Sequence, residues 1–195
     1  SEDNVRGFSP ASAGNLRIEG LYFDRQAFIT DRAIDGSTIK VGISAQGYPF
    51  PAPTGIADIS LRKPGEKLVA SLGTRYGPFG GWNAEVDLQI PLDGKRLGVT
   101  VGAGLYREVN PSKSDSATES YGAGLRWAPS DALTLQGFYA HTDLKDDESN
   151  PLIFIVPGGD FLPNRVPRSR FLSQKWADFS GVFRNYGVVA KGEIA

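Results

Sequence analysis

From Trp82 to Leu105 apolar and polar side chains trade places almost residue by residue. Trp82, Ala84, Val86, Leu88 and Ile90 alternate with Asn83, Glu85, Asp87 and Gln89; beyond the turn signal Leu92-Asp93-Gly94-Lys95, Leu97, Val99, Val101, Ala103 and Leu105 alternate with Arg96, Gly98, Thr100, Gly102 and Gly104. Successive Cβ atoms of a strand point to opposite faces, so the pattern predicts two antiparallel strands, each with one oily face and one polar or small face. Tyr121, Ala123, Leu125 and Trp127 against Gly122, Gly124 and Arg126 repeat it, whereas Tyr106 breaks it by falling on the polar side. The same cadence predicts strands over 67–76, 82–91, 96–107, 120–128, 132–142 and 176–186.

Each of these segments is near the roughly 9–11 residues that a tilted strand needs to cross the hydrocarbon of a bilayer, and longer than the soluble mode of about 5–6. From the second connection onward, tight turns (LDGK, APSDA) lie on one side and longer loops (Asn110 to Thr118, Asp143 to Lys175) on the other, the asymmetry of outer-membrane barrels. With the tight turns inside, Tyr76, Trp82, Tyr121, Tyr139 and Trp176 fall towards the outer end and Trp127 and Tyr186 towards the inner end, where two interfacial aromatic girdles would lie. A soluble β sandwich shows the same alternation and stands as the alternative, a lectin-like binding module. Six strands fall short of the roughly eight of a small closed barrel, and an open edge in lipid leaves backbone groups unsatisfied at several kcal/mol each. The expected fold is therefore mainly β, an incomplete transmembrane barrel.

The first third of the chain has a different texture. Short apolar clusters (LRIEGLYFD, FITDRAI, STIKVGI) are separated by Gly and Pro, with YPFPAPTG as a rigid loop. They predict a compact α+β module with strands over Leu16 to Tyr22 and Ile56 to Leu61 and a helical turn over Asp31 to Ile34. Pro64 and Gly65 interrupt the pattern between Arg62 and Glu66, which divides the chain into a module of residues 1–65 and a strand region of 66–195.

Composition narrows this picture modestly. The 24 Gly and 13 Pro among 195 residues fit a turn-rich β protein. A net charge of −1, from 21 basic and 22 acidic residues, supplies no polybasic field, so no nucleic-acid partner is expected. Cysteine is absent, which excludes disulfides and thiolate chemistry without fixing a compartment. No apolar run approaches the roughly 18 residues of a membrane helix. The opening SEDNVRGFSP has no signal-sequence pattern, as expected of a mature chain, a cytosolic one, or one cut from something longer.

The order of motifs in the first module resembles the later part of the plug domain of TonB-dependent outer-membrane receptors. Val5 to Asp24, VRGFSPASAGNLRIEGLYFD, looks like the plug segment in which Arg-Gly-Phe precedes a strand and a "DG"-like turn, here Glu19-Gly20. Ser37 to Gly65 is similar to the segment that leads into the first barrel strand, through Ile39-Lys40-Val41 and Thr54-Gly55-Ile56 to Lys63-Pro64. It departs from the family pattern in lacking Arg-Gly-Pro after Val41, in Thr54 at a usual glycine and in Asp58 at a usual Asn. The resemblance implies a plug within a barrel of twenty-two strands, in the outer membrane and among its lipids, importing a scarce ligand such as a ferric siderophore with energy from a TonB protein. This chain would hold the later plug and the first strands, without the TonB-binding box. The resemblance also implies that upward plug loops touch substrate, which makes Tyr48 and Phe50 of YPFPAP candidate ligand contacts.

The candidate chemistry is sparse. Glu85 and Asp87 lie two apart on one strand face, roughly 7 Å by strand rise, a spacing compatible with the carboxylate pair of a glycosidase and hence with an outer-membrane hydrolase. The competing reading places them on a polar lumen face where they meet Arg75, Arg96 or a module arginine such as Arg6 or Arg17, holding plug to wall. The second is preferred and no catalytic residue is assigned, because a charged face costs little in a wet lumen and kcal/mol per residue in lipid. His141 is the sole histidine, which excludes a histidine metal cluster, and no nucleophile elbow surrounds a serine; neither metal nor cofactor is expected. The repeated GAGL at Gly102 and Gly122 lacks the third glycine and the helix of a dinucleotide loop, and reads as inward glycines that leave room for the plug. In the long connection, Arg165, Arg168 and Arg170 form a guanidinium trio suited to an anionic ligand.

Overall fold

The computed structural model describes residues 9, 10, 12–25, 27–45, 55–148, 158, 167, 169, 170, 174 and 176–192. They form two sheets. The first contains β1 (Leu16–Ile18), β2 (Leu21–Tyr22), β3 (Ile34–Lys40) and β4 (Ile56–Leu61) in the order β2-β1-β4-β3. β4 runs parallel to β1 and antiparallel to β3. Sitting between them, it buries Ile56, Ile59 and Leu61 almost completely. The strand expected over Leu16 to Tyr22 is instead a hairpin, broken where Glu19 and Gly20 adopt φ of 53° and 86°. The Gly20 amide closes that turn onto Asp58 Oδ1 at 2.9 Å. The expected helical turn is also displaced: Asp31, Arg32 and Ala33 make a turn closed by Ala33 N–H to the Thr30 carbonyl at 3.0 Å, and Ile34 already opens β3 opposite Leu61. Pairing with a buried strand outcompetes one isolated helical turn, whose nucleation is unfavourable. Helical geometry among the described residues is confined to 3₁₀ turns at Gly42–Ala45 and Pro78–Gly80.

The second sheet is an antiparallel meander of β5 (Val69–Tyr76), β6 (Trp82–Asp93), β7 (Leu97–Val109), β8 (Asp115–Ser130), β9 (Leu133–Glu148) and β10 (Asp178–Gly192) in chain order. All six expected strands are present, and the last three reach 16, 16 and 15 residues. The loop expected from Asn110 to Thr118 contracts accordingly, because Asp115, Ser116, Ala117 and Thr118 pair with Val109, Glu108, Arg107 and Tyr106. Polar residues in that stretch carry no hydrophobic alternation, so backbone pairing alone extends the strand.

The two faces of this sheet have different surroundings. On the outer face Val86, Val101, Leu125, Tyr139, Tyr186 and Val188 are exposed. A sandwich would have gathered Val86 and Leu125 into a dry interior; they are 43% and 46% exposed, and the sandwich reading falls with them. The inner face carries the first module: Thr100, Ser120, Gln136 and Thr142 are buried, and Phe138, Ala140 and Val189 join one apolar cluster with Leu16, Ile18, Ile59 and Leu61. The inner face is thus drier than a water-filled lumen, and Thr100, expected to be wet, is 2% exposed. The aromatic scheme needs one further change, since Tyr139 and Tyr186, expected at opposite ends, are cross-strand partners on one level.

Inward glycines let the module come this close. A Cβ at Gly122 would overlap the Arg32 backbone carbonyl, one at Gly102 would overlap Asp87 and crowd Arg32, and one at Gly98 would lie 2.8 Å from Pro64. The two GAGL repeats therefore form a seat for the turn that carries Arg32.

Candidate functional site

Two ionic anchors and one cavity lie where the module meets the sheet, and a second cavity lies within the sheet region under the β5–β6 turn. The first anchor starts from the turn Asp31–Ala33, which pushes Arg32 towards β6, while Arg62 follows directly on β4 and is held by its own N–H to the Ala33 carbonyl at 3.0 Å. Asp87 receives both guanidinium groups, Arg32 Nη1 on Oδ2 at 2.5 Å and Arg62 Nη1 on Oδ1 at 2.6 Å. Glu85 Oε2 pairs with Arg32 Nη2 at 3.1 Å and accepts the Tyr106 hydroxyl at 3.0 Å. Two carboxylates face two guanidinium groups, so the cluster is neutral. Such charges can be buried only when paired and hydrogen-bonded. A glycosidase needs one free acid and one free carboxylate flanking a substrate bond; here both carboxylates are capped by cations.

The expectation that Glu85 and Asp87 hold module to wall thus meets arginines other than those named for it. Arg17 is buried inside the module, its guanidinium 5.1 Å from the Tyr22 ring centroid and donating to the Leu16 carbonyl at 2.8 Å. Arg96 is exposed in the β6–β7 turn, Arg75 is exposed on β5, and Arg6 lies outside the described residues. Arg32, Arg62 and the hydroxyl of Tyr106 were missed. The one available signal was the inward count of Tyr106, since an aromatic on a polar face needs a partner for its hydroxyl.

The second anchor lies at the end of the sheet that holds the β8–β9 turn. Glu19, its side chain 4% exposed, accepts Lys191 Nζ from β10 at 2.7 Å, Lys63 Nζ at 3.0 Å and the Leu61 amide at 2.9 Å. Burial pushes this carboxyl upward, but the bonds from Lys191, Lys63 and Leu61 outweigh it and hold Glu19 below the usual carboxylate range. A carboxyl whose folded pKa is depressed contributes stability above its unfolded pKa, and that contribution disappears as pH falls through the folded value. Glu19→Gln is accordingly expected to lower the melting temperature of the full protein at pH 7 and to change it little at pH 3; an equal drop at both, by calorimetry, would reject this anchor.

One cavity, of about 370 Å³, opens between module and wall and is lined by Phe28, Thr30, Tyr106, Ser120, Thr142 and Phe183. It is mostly apolar, with a rim of hydroxyls, and Thr142 Oγ1 is buried there without a hydrogen-bond partner. A second, of about 390 Å³, lies under the β5–β6 turn between Arg75, Phe79, Trp82, Tyr106 and Arg107, where Phe79 sits at φ 60° with its ring exposed. Arg75 thus lines a pocket rather than neutralising Asp87. Of the guanidinium trio, Arg170 is exposed, with its amide on the Pro167 carbonyl at 3.0 Å; Arg165, Arg168, Tyr48 and Phe50 lie outside the described residues. His141 is half-buried on the outer face between Tyr121 and Tyr139, accepting the Arg184 Nε–H on Nδ1 at 3.3 Å.

No protein-family model matches this sequence, and no curated protein does either. Solved structures do match. The ferripyoverdine receptor of the outer membrane of Pseudomonas aeruginosa, bound to ferripyoverdine, superposes with a TM-score of 0.72 at 15% identity over 96% of this chain and 26% of its own. The same receptor bound to heterologous pyoverdines matches equally well over 98% of the chain. The siderophore receptor PirA from Acinetobacter baumannii matches with a TM-score of 0.50 at 15% identity over 72% of the chain and 25% of its own. The chain spans about a quarter of the length of these receptors. Over this stretch the chain therefore has the fold of TonB-dependent outer-membrane siderophore receptors.

Proposed function

We propose that the chain is the part of a TonB-dependent outer-membrane transporter in which residues 1–65 supply the later plug and residues 66–195 the first barrel strands. Its ligand is a ferric siderophore, and a TonB protein supplies the energy. The observation that carries this reading is the division of the meander into an exposed apolar outer face and an inner face bonded to the module through Arg32, Arg62 and Glu19. An exposed band of Val, Leu, Tyr and Trp suits lipid, where charged substitutions would cost kcal/mol, while ion-paired arginines on the other face suit a plug that must be held and then moved. The neighbours that share the fold are receptors for ferric chelates, and the cavity at the junction is of the size in which small ligands bind.

The test is uptake of radiolabelled ferric siderophores by cells that carry or lack the full receptor. Uptake that needs both this gene and a working TonB supports the proposal; unchanged uptake without the gene across hydroxamate, catecholate and pyoverdine chelates rejects it. A topological prediction accompanies it. Cysteines at Val101 and Leu125 are expected to resist a membrane-impermeant maleimide in intact membranes and to react in detergent, whereas one at exposed Arg75 reacts in both; equal labelling of all three in membranes would remove the lipid from the outer face.

A further inference from the structure

Tyr106 occupies a position that the holding of the plug does not by itself explain. Its side chain lines both cavities, and its hydroxyl donates to the same Glu85 oxygen that pairs with Arg32. Glu85 is flanked on both neighbouring strands by glycine, Gly73 on β5 and Gly104 on β7. Its side chain lies across Gly73, where a Cβ would come within 2.9 Å of it, and the Tyr106 ring lies across Gly104, where a Cβ would come within 2.7 Å. No neighbouring side chain therefore fixes the Glu85 rotamer at this level. Its orientation rests on two hydrogen-bonding partners, the Tyr106 phenol of the wall and the Arg32 guanidinium of the module. A carboxylate in such a space has two arrangements, aimed at Arg32 when the phenol is in place and free to swing when it is not.

We infer that Tyr106 is a positioning residue that aims Glu85 at Arg32 and, as the partition between the two cavities, couples their occupancy to the hold on the plug. The coupling to a ligand rests on the function proposed above; the aiming of Glu85 does not. A ligand that draws the phenol away, by bonding to its hydroxyl or displacing its ring, removes one of the two restraints on Glu85. Arg32 then keeps its bond to Asp87 and loses the support of Glu85, so the turn at Asp31–Ala33 loosens while β1–β4 stay intact. A coupling of this kind needs an element with two states that both sites bias, and Glu85 between its glycines is that element.

The experiment is amide exchange on the full receptor, followed in the peptide that contains Arg32 and Ala33. Without ligand, Tyr106→Phe is expected to speed exchange there about tenfold, Glu85→Gln to do the same, and the double variant to add nothing further. Exchange in Ile56–Leu61 should not change, which separates positioning from a general loss of stability. With saturating ferripyoverdine as probe, wild-type exchange at Arg32 rises on binding, while Tyr106→Phe, compared at its own saturation, shows no further rise. Wild-type exchange in Tyr106→Phe, additive effects in the double variant, or a ligand response that survives the substitution would each overturn the inference. Failure of the wild-type receptor to bind ferripyoverdine would count against the proposed ligand and leave the ligand-free comparison to decide the role of Tyr106.

Discussion

Replacing Asp87 with alanine is expected to destabilise the seated module by about 3–5 kcal/mol, the usual cost of removing one partner from a buried ion pair. Asp87 is the acceptor shared by Arg32 and Arg62, whose side chains are only 7% and 16% exposed. Without it, two guanidinium groups remain largely out of water, and Glu85 makes ion-pair contact with Arg32 but not with Arg62. Such a loss comes mainly from uncompensated charge, not from the absent attraction, so Asp87→Asn should recover only a fraction. A suitable control is Asp115→Ala, which removes a pair with Arg107 whose partners are 43% and 52% exposed; pairs of that kind contribute about 0–1 kcal/mol. In the full protein, accelerated exchange of the amides of β1–β4 and of the Asp31–Ala33 turn would register the effect. If Asp87→Ala and Asp115→Ala gave equal and small changes, the arginine–carboxylate cluster would not be what seats the module.

Why this anchor was half legible in the sequence follows from how each of its members is specified. Glu85 and Asp87 stand at alternate positions of a strand whose other face is wholly apolar, so period-two alternation alone assigned them inward. The glycines at 102 and 122 were readable for the same reason, since small residues on an inward face imply a close neighbour. Arg32 and Arg62 lie at a turn and a strand end, where no periodicity exists to say which way a side chain points. Their pairing with Asp87 spans 55 and 25 residues of sequence and is set by how β4 lies between β1 and β3. Arg17 stood with Arg6, Arg75 and Arg96 as a candidate partner, but its strand turns it into the module, onto Tyr22. The dryness of the inner face was hidden as well. Thr100 and Phe138 read respectively as lumen polar and as unassigned, and only contact with the module makes both of them part of one packed layer.

The glycine seat gives the second large effect. At Gly122 a Cβ would overlap the carbonyl carbon and oxygen of Arg32 and come within 2.7 Å of the Ala33 nitrogen. These are backbone atoms of a turn closed by hydrogen bonds on both sides, Ala33 N–H to Thr30 and Arg62 N–H to the Ala33 carbonyl, so the turn cannot yield as the tip of a flexible side chain would. Gly122→Ala is therefore expected to cost the upper part of the roughly 1–3 kcal/mol usual for overpacking, and Gly122→Val to unseat the turn and carry Arg32 out of reach of Asp87. Gly137 tests the argument on the neighbouring strand. It faces outward, and a Cβ there would meet nothing nearer than the Gly187 carbonyl at 3.9 Å, so Gly137→Ala should be neutral or slightly stabilising through reduced freedom of the unfolded chain. Amide exchange at Arg32 and Ala33 in the full protein would measure the displacement, because the turn that carries them is what a Cβ at Gly122 would push away. Protection kept in Gly137→Ala and lost in Gly122→Val is the expected outcome; equal protection in both would mean that the module does not depend on bare backbone at this seat.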